Sequence, residues 1–273
     1  MTHKEFNFNI YKTDFYGQVW EAKNTKAVVV LVHGMGEHSG RYNHVAKKLT
    51  ENDFSVVAFD QFGHGKTSGK RGHNPGFEAV LESATSTINK TKELFPSKLI
   101  FLYGHSMGGN VVINYALRIK NDLKGIIATS PFLKLAFQPP AIKLAVGKLL
   151  QKIAPSLTMG NELDANDISR DKTEVEKYIN DPLVHDKISS NFSLTFIETG
   201  QWAIENANKL KTLMLLLHGT GDKIIDYKGT QEFANNSDKA TLKLYEGGYH
   251  ELQNDLCKEE MLQDVVNWLN SQL

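Results

Sequence analysis

Four short runs of apolar residues stand out along the chain, and each is nearly continuous rather than alternating with polar residues. Strands covered by helices on both faces have this pattern, because neither side of such a strand meets water. Two weaker runs are typical of further strands. The four runs are residues 26–32, 54–59, 99–103 and 213–217, and the weaker two are residues 125–129 and 241–245.

Helical patterns lie between these strands. Alternating strands and helices with right-handed connections predict an α/β fold, in which a mostly parallel central sheet is flanked by helices. The opening segment, residues 6–21, is predicted to form an antiparallel hairpin with its turn near Tyr16 and Gly17. The predicted helices span residues 41–52, 76–94, 107–120, 228–235 and 259–269.

Residues 131–205 interrupt this alternation. The segment has no apolar strand run, and it contains prolines, short helical patterns and polar joints. We expect a mainly helical cap over residues 131–205, inserted into a core that is formed by residues 1–130 and 206–273.

One helix of the predicted cap has an apolar stripe flanked by lysines, with Leu144 on its far side. Two interpretations remain open. The stripe packs on the core while the lysine stems extend to water, or the helix is a lid whose stripe lines an apolar tunnel or touches lipid aggregates. The stripe comprises Ile142, Ala145, Val146, Leu149, Leu150 and Ile153, and its flanking lysines are Lys143, Lys148 and Lys152.

Composition and charge exclude several classes of protein. Thirty-one basic and 31 acidic residues give a formal charge of zero, so no overall field attracts nucleic acid. The longest apolar runs are far shorter than the ~20 residues that cross a bilayer. Cys257 is the single cysteine, and the first residues lack the apolar stretch of a secretory signal. We therefore expect a cytoplasmic protein with no nucleic-acid partner.

Two glycine-containing segments resemble cofactor sites only in part. Residues 33–40 nearly match a dinucleotide-binding turn, but Ser39 stands where the third glycine belongs. Residues 65–67 match the end of a phosphate-binding loop, whose first glycine is replaced by Asp60. The two histidines and the glutamate within residues 33–40 are separated by glycines, which disfavours the helix that a zinc motif requires. We expect no cofactor and no metal.

A third glycine motif, Gly-His-Ser-Met-Gly at residues 104–108, joins a predicted strand to a predicted helix. This turn holds a serine in a strained conformation and exposes its hydroxyl at the edge of a sheet. The helix that follows directs its N-terminal dipole and the backbone N–H of Met107 toward the charge that develops during attack. Ser106 is therefore predicted to be a nucleophile.

Such a serine needs a base that is oriented by an acid. His250 lies in a loop after the last predicted strand, and Asp222 follows the preceding strand. The order serine, aspartate, histidine is the one expected for this architecture, and Asp226 is the rival acid. Met35, placed between two glycines, is the candidate for a second backbone N–H that binds the oxyanion.

Several segments together carry a resemblance to a known family. They are residues 33–42, which include Gly-Glu-His-Ser-Gly-Arg-Tyr, residues 60–65, the serine turn at residues 104–109, Asn-Asp-Pro-Leu-Val at residues 180–184, the turn of Asp222, Tyr-His at residues 249–250 and Trp-Leu at residues 268–269. With these segments the chain resembles the monoacylglycerol lipase family of α/β-hydrolases, which is grouped with serine aminopeptidase-like and lysophospholipase-related hydrolases. The resemblance extends over nearly the whole chain and is weakest in the cap.

The resemblance implies a triad of Ser106, His250 and Asp222, with an oxyanion hole made by the amides of Met35 and Met107. It also implies an apolar cap that receives an acyl chain. Glu37 and Arg41 would organise a polar pocket for the alcohol. The alternative for that pair is a structural ion pair that holds its loop, because pairs of this kind are often structural.

The expected reaction is hydrolysis of a monoacylglycerol, a small lipid ester, to glycerol and a fatty acid through an acyl-enzyme. A broad carboxylesterase, a thioesterase and a lysophospholipase are the alternative enzymes. A scaffold that kept the hydrolase fold without its chemistry is the alternative outside enzymes. The cap is also expected to contact membranes transiently, and the oligomeric state is left open.

Overall fold

An eight-stranded sheet forms the centre of the computed structural model, which describes all 273 residues. The strands are β1 (Thr2–Ile10), β2 (Thr13–Glu21), β3 (Ala27–Val32), β4 (Phe54–Phe59), β5 (Leu99–His105), β6 (Gly125–Thr129), β7 (Thr158–Gly160), β8 (Lys187–Ser189), β9 (Met214–Gly219) and β10 (Ala240–Tyr245). The order in the large sheet is β1-β2-β4-β3-β5-β6-β9-β10. Within the large sheet only the pairs β1 with β2 and β2 with β4 are antiparallel, and β7 and β8 form a separate antiparallel pair.

Helices cover both faces of this sheet. They are α1 (Asn43–Thr50), α2 (Phe77–Leu94), α3 (Met107–Arg118), α4 (Ala141–Ile153), α5 (Lys172–Asn180), α6 (Ser190–Glu205), α7 (Tyr227–Asn235) and α8 (Lys258–Ser271). Side chains of α2, α3, α6 and α7 share one apolar layer with Val30 and Val32 of β3. Those of α1 and α8 share the opposite layer with Val29 and Leu31. The predicted mostly parallel sheet with flanking helices is confirmed.

The N-terminal hairpin is present, but its turn was predicted at the wrong place. The chain reverses at Tyr11 and Lys12, whose φ angles are 50° and 57°, as in the two-residue turns that suit the twist of a hairpin. Gly17 lies within β2 and pairs with Phe6 of β1. The Phe6 ring occupies the space that a side chain at position 17 would need. This glycine therefore makes room for an aromatic ring rather than a turn.

The chain between β6 and β9 contains α4, α5, α6 and a small sheet of β7 and β8. That sheet was not predicted, because three-residue strands are too short to leave a periodic pattern. Helix α6 packs on α3 and buries Phe192, Phe196 and Ile204 in the layer beneath the large sheet. We propose that residues 131–205 form the cap and that α6 anchors it.

The exposure of helix α4 decides between the two interpretations of its apolar stripe. No residue of this helix is buried, so the interpretation that the stripe packs on the core is wrong. The side that faces the protein carries Gly147, where an added Cβ would lie 3.5 Å from Leu194 Cδ1 of α6. The stripe is instead exposed, and its most exposed members are Ile142, Val146, Leu149 and Ile153. Local periodicity defines such a stripe but does not reveal what it faces.

No helix of the structure combines the length and the apolar character that are needed to cross a bilayer.

The opposite environments of α4 and α6 give a prediction for stability. Phe196 is 1% exposed, so Phe196→Ala should lower the free energy of unfolding by about 3–5 kcal/mol. The double variant Leu149→Ser/Ile153→Ser should change it by less than about 1 kcal/mol, because both side chains already meet water. Urea unfolding measures both. A double variant as unstable as Phe196→Ala would show that α4 packs inward.

Candidate active site

Ser106 occupies a sharp turn between β5 and α3. Its φ of 53° and ψ of −114° lie outside the conformations that most residues adopt. Glycines make the turn feasible: a side chain at Gly104 would overlap the carbonyl of Gly108, and one at Gly108 would overlap the carbonyl of Val32. No bulkier residue fits at either glycine. The tight turn that they allow presents the Ser106 hydroxyl at the carboxyl edge of the sheet.

Three predicted side chains meet at this edge. Nε2 of His250 lies 2.9 Å from Oγ of Ser106, and Nδ1 of His250 lies 2.7 Å from Oδ2 of Asp222. A neutral imidazole that donates Nδ1–H to the carboxylate leaves Nε2 free to accept the serine proton. All three residues are more than 90% buried. The structure therefore brings Ser106, His250 and Asp222 into one continuous hydrogen-bonded chain.

Asp222 is held from below by its own turn. The backbone N–H groups of Ile224 and Ile225 donate to its Oδ1 at 2.8 and 3.0 Å. Burial raises the pKa of this carboxyl, but the charge of His250 and hydrogen bonds from His218 and His250 outweigh burial. The pKa of Asp222 consequently lies well below its usual value, and the group stays ionised. Asp226, the rival acid, instead caps α7 by accepting the N–H of Lys228.

The environment of His250 favours its protonated form. Burial lowers the pKa of this imidazole, yet the charge and hydrogen bond of Asp222 outweigh burial, and the pKa is raised from 6.5. The neighbouring ring of His105, 5.0 Å away between centroids, stays neutral because burial lowers its pKa to about 3. Ser130 Oγ donates to the carbonyl of His250 at 2.7 Å and fixes the backbone of its loop.

His218 is a member of this site that was not among the predicted site residues. Its Nε2 lies 3.0 Å from Oδ2 of Asp222, the same oxygen that His250 contacts, and its Nδ1 lies 2.8 Å from Oγ1 of Thr230. The side chain is completely buried. The spacing His-Gly-Thr-Gly-Asp holds both groups in one turn, which is the signal that could have found it. Asp222 therefore accepts from two imidazoles.

The two predicted oxyanion donors flank Ser106. Met107 is the first residue of α3, so its N–H lacks a partner within the helix. Met35 lies in the loop after β3 and lines the cavity at Ser106. A Cβ on the adjacent Gly34 would lie 3.3 Å from Ser106 Cβ, which shows how closely this loop passes the serine. The amide of Gly34 itself is occupied by Oε1 of Glu37 at 2.6 Å.

A buried ion network lies behind that loop. Arg41 donates to Glu37 at 2.8 Å and forms two bonds of 2.7 Å with Glu251. Burial raises the pKa of Glu37 and the charge of Glu251 adds to this effect, although Arg41 opposes both. The pKa of Glu251 falls to about 2, because the guanidinium outweighs burial. Glu251 was not predicted, since nothing in the local sequence indicates a partner 210 residues away.

A cavity of about 730 Å³ opens onto Ser106. Glu37, Glu251 and His250 form part of its wall, whereas Arg41 lies behind Glu37 and does not reach the wall. Most of the remaining wall is apolar and comes from residues 131–205. Representative apolar side chains are Phe132, Leu144, Val146, Leu150, Leu194 and Ile197.

Comparison with known proteins places the chain in a family. The family model of serine aminopeptidase, S33, matches residues 23–257. A monoacylglycerol lipase from Mycolicibacterium smegmatis is 33% identical over 251 residues, which cover 91% of this chain and 89% of that protein. The chain belongs to the monoacylglycerol lipase family. The predicted family and the prediction of a carboxylic ester hydrolase are both confirmed.

Two further matches extend this result. The crystal structure of Paleococcus ferrophilus monoacylglycerol lipase superposes with a TM-score of 0.88 at 36% identity, covering 95% of this chain and 99% of that one. The predicted α/β-hydrolase fold is therefore confirmed. An uncharacterised abhydrolase domain-containing protein from Dictyostelium discoideum is 38% identical over 252 residues. These residues cover 90% of this chain, which spans only 26% of that longer protein.

The hydrogen bond to His250 predicts which serine is reactive. A fluorophosphonate should label Ser106, because the imidazole can remove the hydroxyl proton as phosphorus is attacked. Peptide mapping by mass spectrometry should find the label on this residue in the wild type. His250→Ala should slow labelling by at least about a hundredfold. Labelling of another serine, or an undiminished rate in the variant, would contradict the assignment.

The shared oxygen of Asp222 predicts a pH effect of His218. In His218→Leu the carboxylate loses one donor and becomes more basic, so its bond to His250 strengthens and the pKa of His250 rises further. Since the neutral imidazole is the reactive form, the pH at which fluorophosphonate labelling reaches half its maximum should move upward. His218→Gln, which keeps a donor, is the matched control. An identical midpoint in His218→Leu and the wild type would refute the effect.

Proposed function

We propose that the protein hydrolyses monoacylglycerols to glycerol and fatty acid, with Ser106 as nucleophile, His250 as general base and Asp222 as the acid that orients the base. The observation that carries this proposal is the chain of bonds from Ser106 through His250 to Asp222 at the end of an apolar cavity. Similarity to monoacylglycerol lipases over most of the chain supports the choice of substrate.

In the first half of the reaction, Ser106 Oγ attacks the ester carbonyl while Nε2 of His250 takes its proton. Asp222 stabilises the resulting imidazolium through the bond to Nδ1. The carbonyl oxygen becomes an oxyanion, which the amides of Met35 and Met107 bind. A donor at such a position contributes about 2.7–4 kcal/mol to lowering the barrier. The imidazolium then protonates the departing glycerol oxygen as the ester bond breaks.

In the second half, water attacks the acyl-enzyme and the same imidazole serves as its base. The ester between Ser106 and the fatty acid breaks, and His250 returns the proton to the serine. No charge other than the oxyanion and the imidazolium develops, so the site needs no metal or cofactor for this route.

The cavity wall supports a lipid substrate over a small polar ester. Its apolar side chains would bury an acyl chain, and each buried methylene contributes about 0.8 kcal/mol. We assign Glu37 to the end that receives the glycerol, because its side chain reaches the wall beside Ser106. Arg41 acts there as a positioning residue through its bonds to Glu37 and Glu251. A carboxylesterase, a thioesterase and a lysophospholipase differ mainly in what this end accepts.

The exposed stripe of α4 supports transient contact with a lipid surface. An amphipathic helix with apolar residues on one side and lysines beside them lies in the interface between water and lipid. Leu149 and Ile153 are 57% and 68% exposed, whereas stripe residues Val146 and Leu150, together with Leu144 from the far side of α4, adjoin the cavity. A substrate leaving the lipid would therefore pass along this helix. We infer a peripheral association at a membrane that faces the cytoplasm.

The proposal is tested with monooleoylglycerol and the variant Ser106→Ala. Turnover should fall by at least about a thousandfold, because the nucleophile is lost. His250→Ala should fall comparably. Ser271→Ala, an exposed serine at the end of α8, is the matched control and should keep full activity. Equal hydrolysis by the wild type and Ser106→Ala would favour a scaffold without chemistry.

The lipid contact predicts a difference between aggregated and monomeric substrates. Leu149→Ser/Ile153→Ser should lower turnover of monooleoylglycerol in phosphatidylcholine vesicles at least fivefold and weaken sedimentation with those vesicles. Turnover of monomeric butyrylglycerol should change less than twofold. The variant Lys148→Ser/Lys152→Ser removes two charges from the same helix but keeps its apolar stripe, so it separates the effect of charge from that of apolar surface. Equal loss on both substrates would place the defect in the cavity instead of at the lipid surface.

A further inference from the structure

The polar end of the cavity carries an excess of negative charge. Glu37 and Glu251 belong to its wall and are 2% and 3% exposed. Oε1 of Glu37 and Cβ of Ser106 both lie within 3.3 Å of the position that a Cβ on Gly34 would occupy. Glu251 directly follows His250 in the chain. Both carboxylates are therefore close to the atoms that would react.

One guanidinium has to balance these two carboxylates. Arg41 bonds to both and is itself buried behind them, with its side chain 8% exposed. The remaining donors to the pair are uncharged: the N–H of Gly34 and the hydroxyl of Tyr42 bond to Glu37, and the amide of Asn254 bonds to Glu251. Although burial raises the pKa of Glu37, its Oε1 accepts from Gly34 and Tyr42 and its Oε2 accepts from Arg41, so every hydrogen bond of this side chain favours the ionised carboxylate. With Glu251 also ionised, the network of Glu37, Arg41 and Glu251 has a net charge of about −1.

The rest of the wall does not compensate for this charge. Its only amine is Lys143, which is exposed and already pairs with Glu162 at 2.7 Å. The imidazoles of His105 and His185 remain uncharged, because burial lowers the pKa of each. The other carboxylates that line the cavity are Glu162, Asp164 and Asp186.

The negative charge persists through the catalytic cycle. When His250 takes the serine proton, its positive charge is matched by Asp222 and by the oxyanion, so it does not neutralise the network of Glu37, Arg41 and Glu251. Buried charges are also poorly screened by salt. An alcohol group that carries phosphate would meet repulsion at this end, whereas a cationic alcohol group would be attracted.

We propose that the polar end of the cavity selects the alcohol half of the ester by charge, so that choline-type esters form a further substrate class while phosphate-bearing alcohols are rejected. This inference rests on the proposed ester hydrolysis. In the added reaction the acyl–oxygen bond breaks, the choline oxygen takes the proton from His250, and water supplies the hydroxyl of the free acid. Among the alternative enzymes, the inference opposes lysophospholipids and acyl-coenzyme A thioesters.

Two pairs of short esters test the inference, and all four are monomeric in solution. The first pair is butyrylcholine and 3,3-dimethylbutyl butyrate, which have the same shape and differ only in charge. The second pair is 1-butyrylglycerol and its 3-phosphate. We expect kcat/KM for butyrylcholine to equal or exceed that of its uncharged counterpart. We expect the phosphate to lower kcat/KM at least a hundredfold.

Variants assign the effect to the two carboxylates. In Glu251→Gln the ratio of kcat/KM for butyrylcholine to that for its uncharged counterpart should fall about tenfold, and the phosphate ester should be disfavoured less. A loss of activity that affects both esters of a pair equally cancels in their ratio of kcat/KM. Glu37→Gln should act in the same direction and serves if Glu251→Gln fails to fold. Glu93→Gln, an exposed carboxylate at the end of α2, is the matched control and should leave both ratios unchanged.

The outcomes separate the inference from the proposed function. No hydrolysis of any of the four esters, or of p-nitrophenyl butyrate, would overturn both. Hydrolysis of the uncharged esters would overturn the inference alone if kcat/KM for butyrylcholine were lower than for its counterpart. Hydrolysis of the phosphate ester at the rate of butyrylglycerol would do the same. Unchanged ratios in both glutamine variants would also overturn it.

Discussion

The hydrogen bond between His250 and Ser106 joins residues 144 positions apart, and it depends on the parallel sheet between them. Strand β6 is in register with β5 on one side and β9 on the other, so His105 and Thr129 end their strands side by side and Leu217 lies next to Thr129, two residues before the end of β9. Strand β10 continues this register on β9. The loops that follow therefore emerge at one edge, where open α/β sheets collect their reactive groups. An error of register anywhere between β5 and β10 would separate the base from the hydroxyl.

The same sheet sustains the strain at Ser106. A non-glycine residue in such a conformation costs about 1–3 kcal/mol, and it persists only where its surroundings fix it. The N–H of Ser106 donates to the carbonyl of Thr129, and the N–H of Phe132 donates to the carbonyl of Ser106, both at 2.9 Å. These bonds tie the turn to β6 and to the start of the segment that covers the site. Together with the packing of α3 in its apolar layer, these bonds maintain a geometry that the isolated turn would not adopt.

How much of this structure the sequence predicts depends on whether a feature is encoded in consecutive residues or in contacts between distant parts of the chain. The apolar strands and the serine turn are encoded in consecutive residues, and both were found with nearly correct bounds. The hairpin turn was misplaced because Gly17 has a role in packing against Phe6, which is contact between strands and leaves no local mark. Periodicity likewise did not reveal what the α4 stripe faces, because this depends on contacts with other parts of the fold. His218 and Glu251 were missed because their partners are side chains in other parts of the fold.

The two buried charge networks of the site differ in whether one of their members changes its protonation during the reaction. Asp222 shares its charge with an imidazole that gains and loses a proton, so this network is neutralised when the reaction needs it. Glu37, Arg41 and Glu251 have no member that exchanges a proton during the cycle. Arg41 holds its proton firmly and keeps the pKa of Glu251 low, and the carboxylate of Glu37 is bonded only to donors. Their excess charge is thus a constant feature of the cavity. The constant charge of Glu37, Arg41 and Glu251 can discriminate between alcohols without disturbing proton transfer by His250 and Asp222. The apolar wall binds acyl chains whatever charge the alcohol carries.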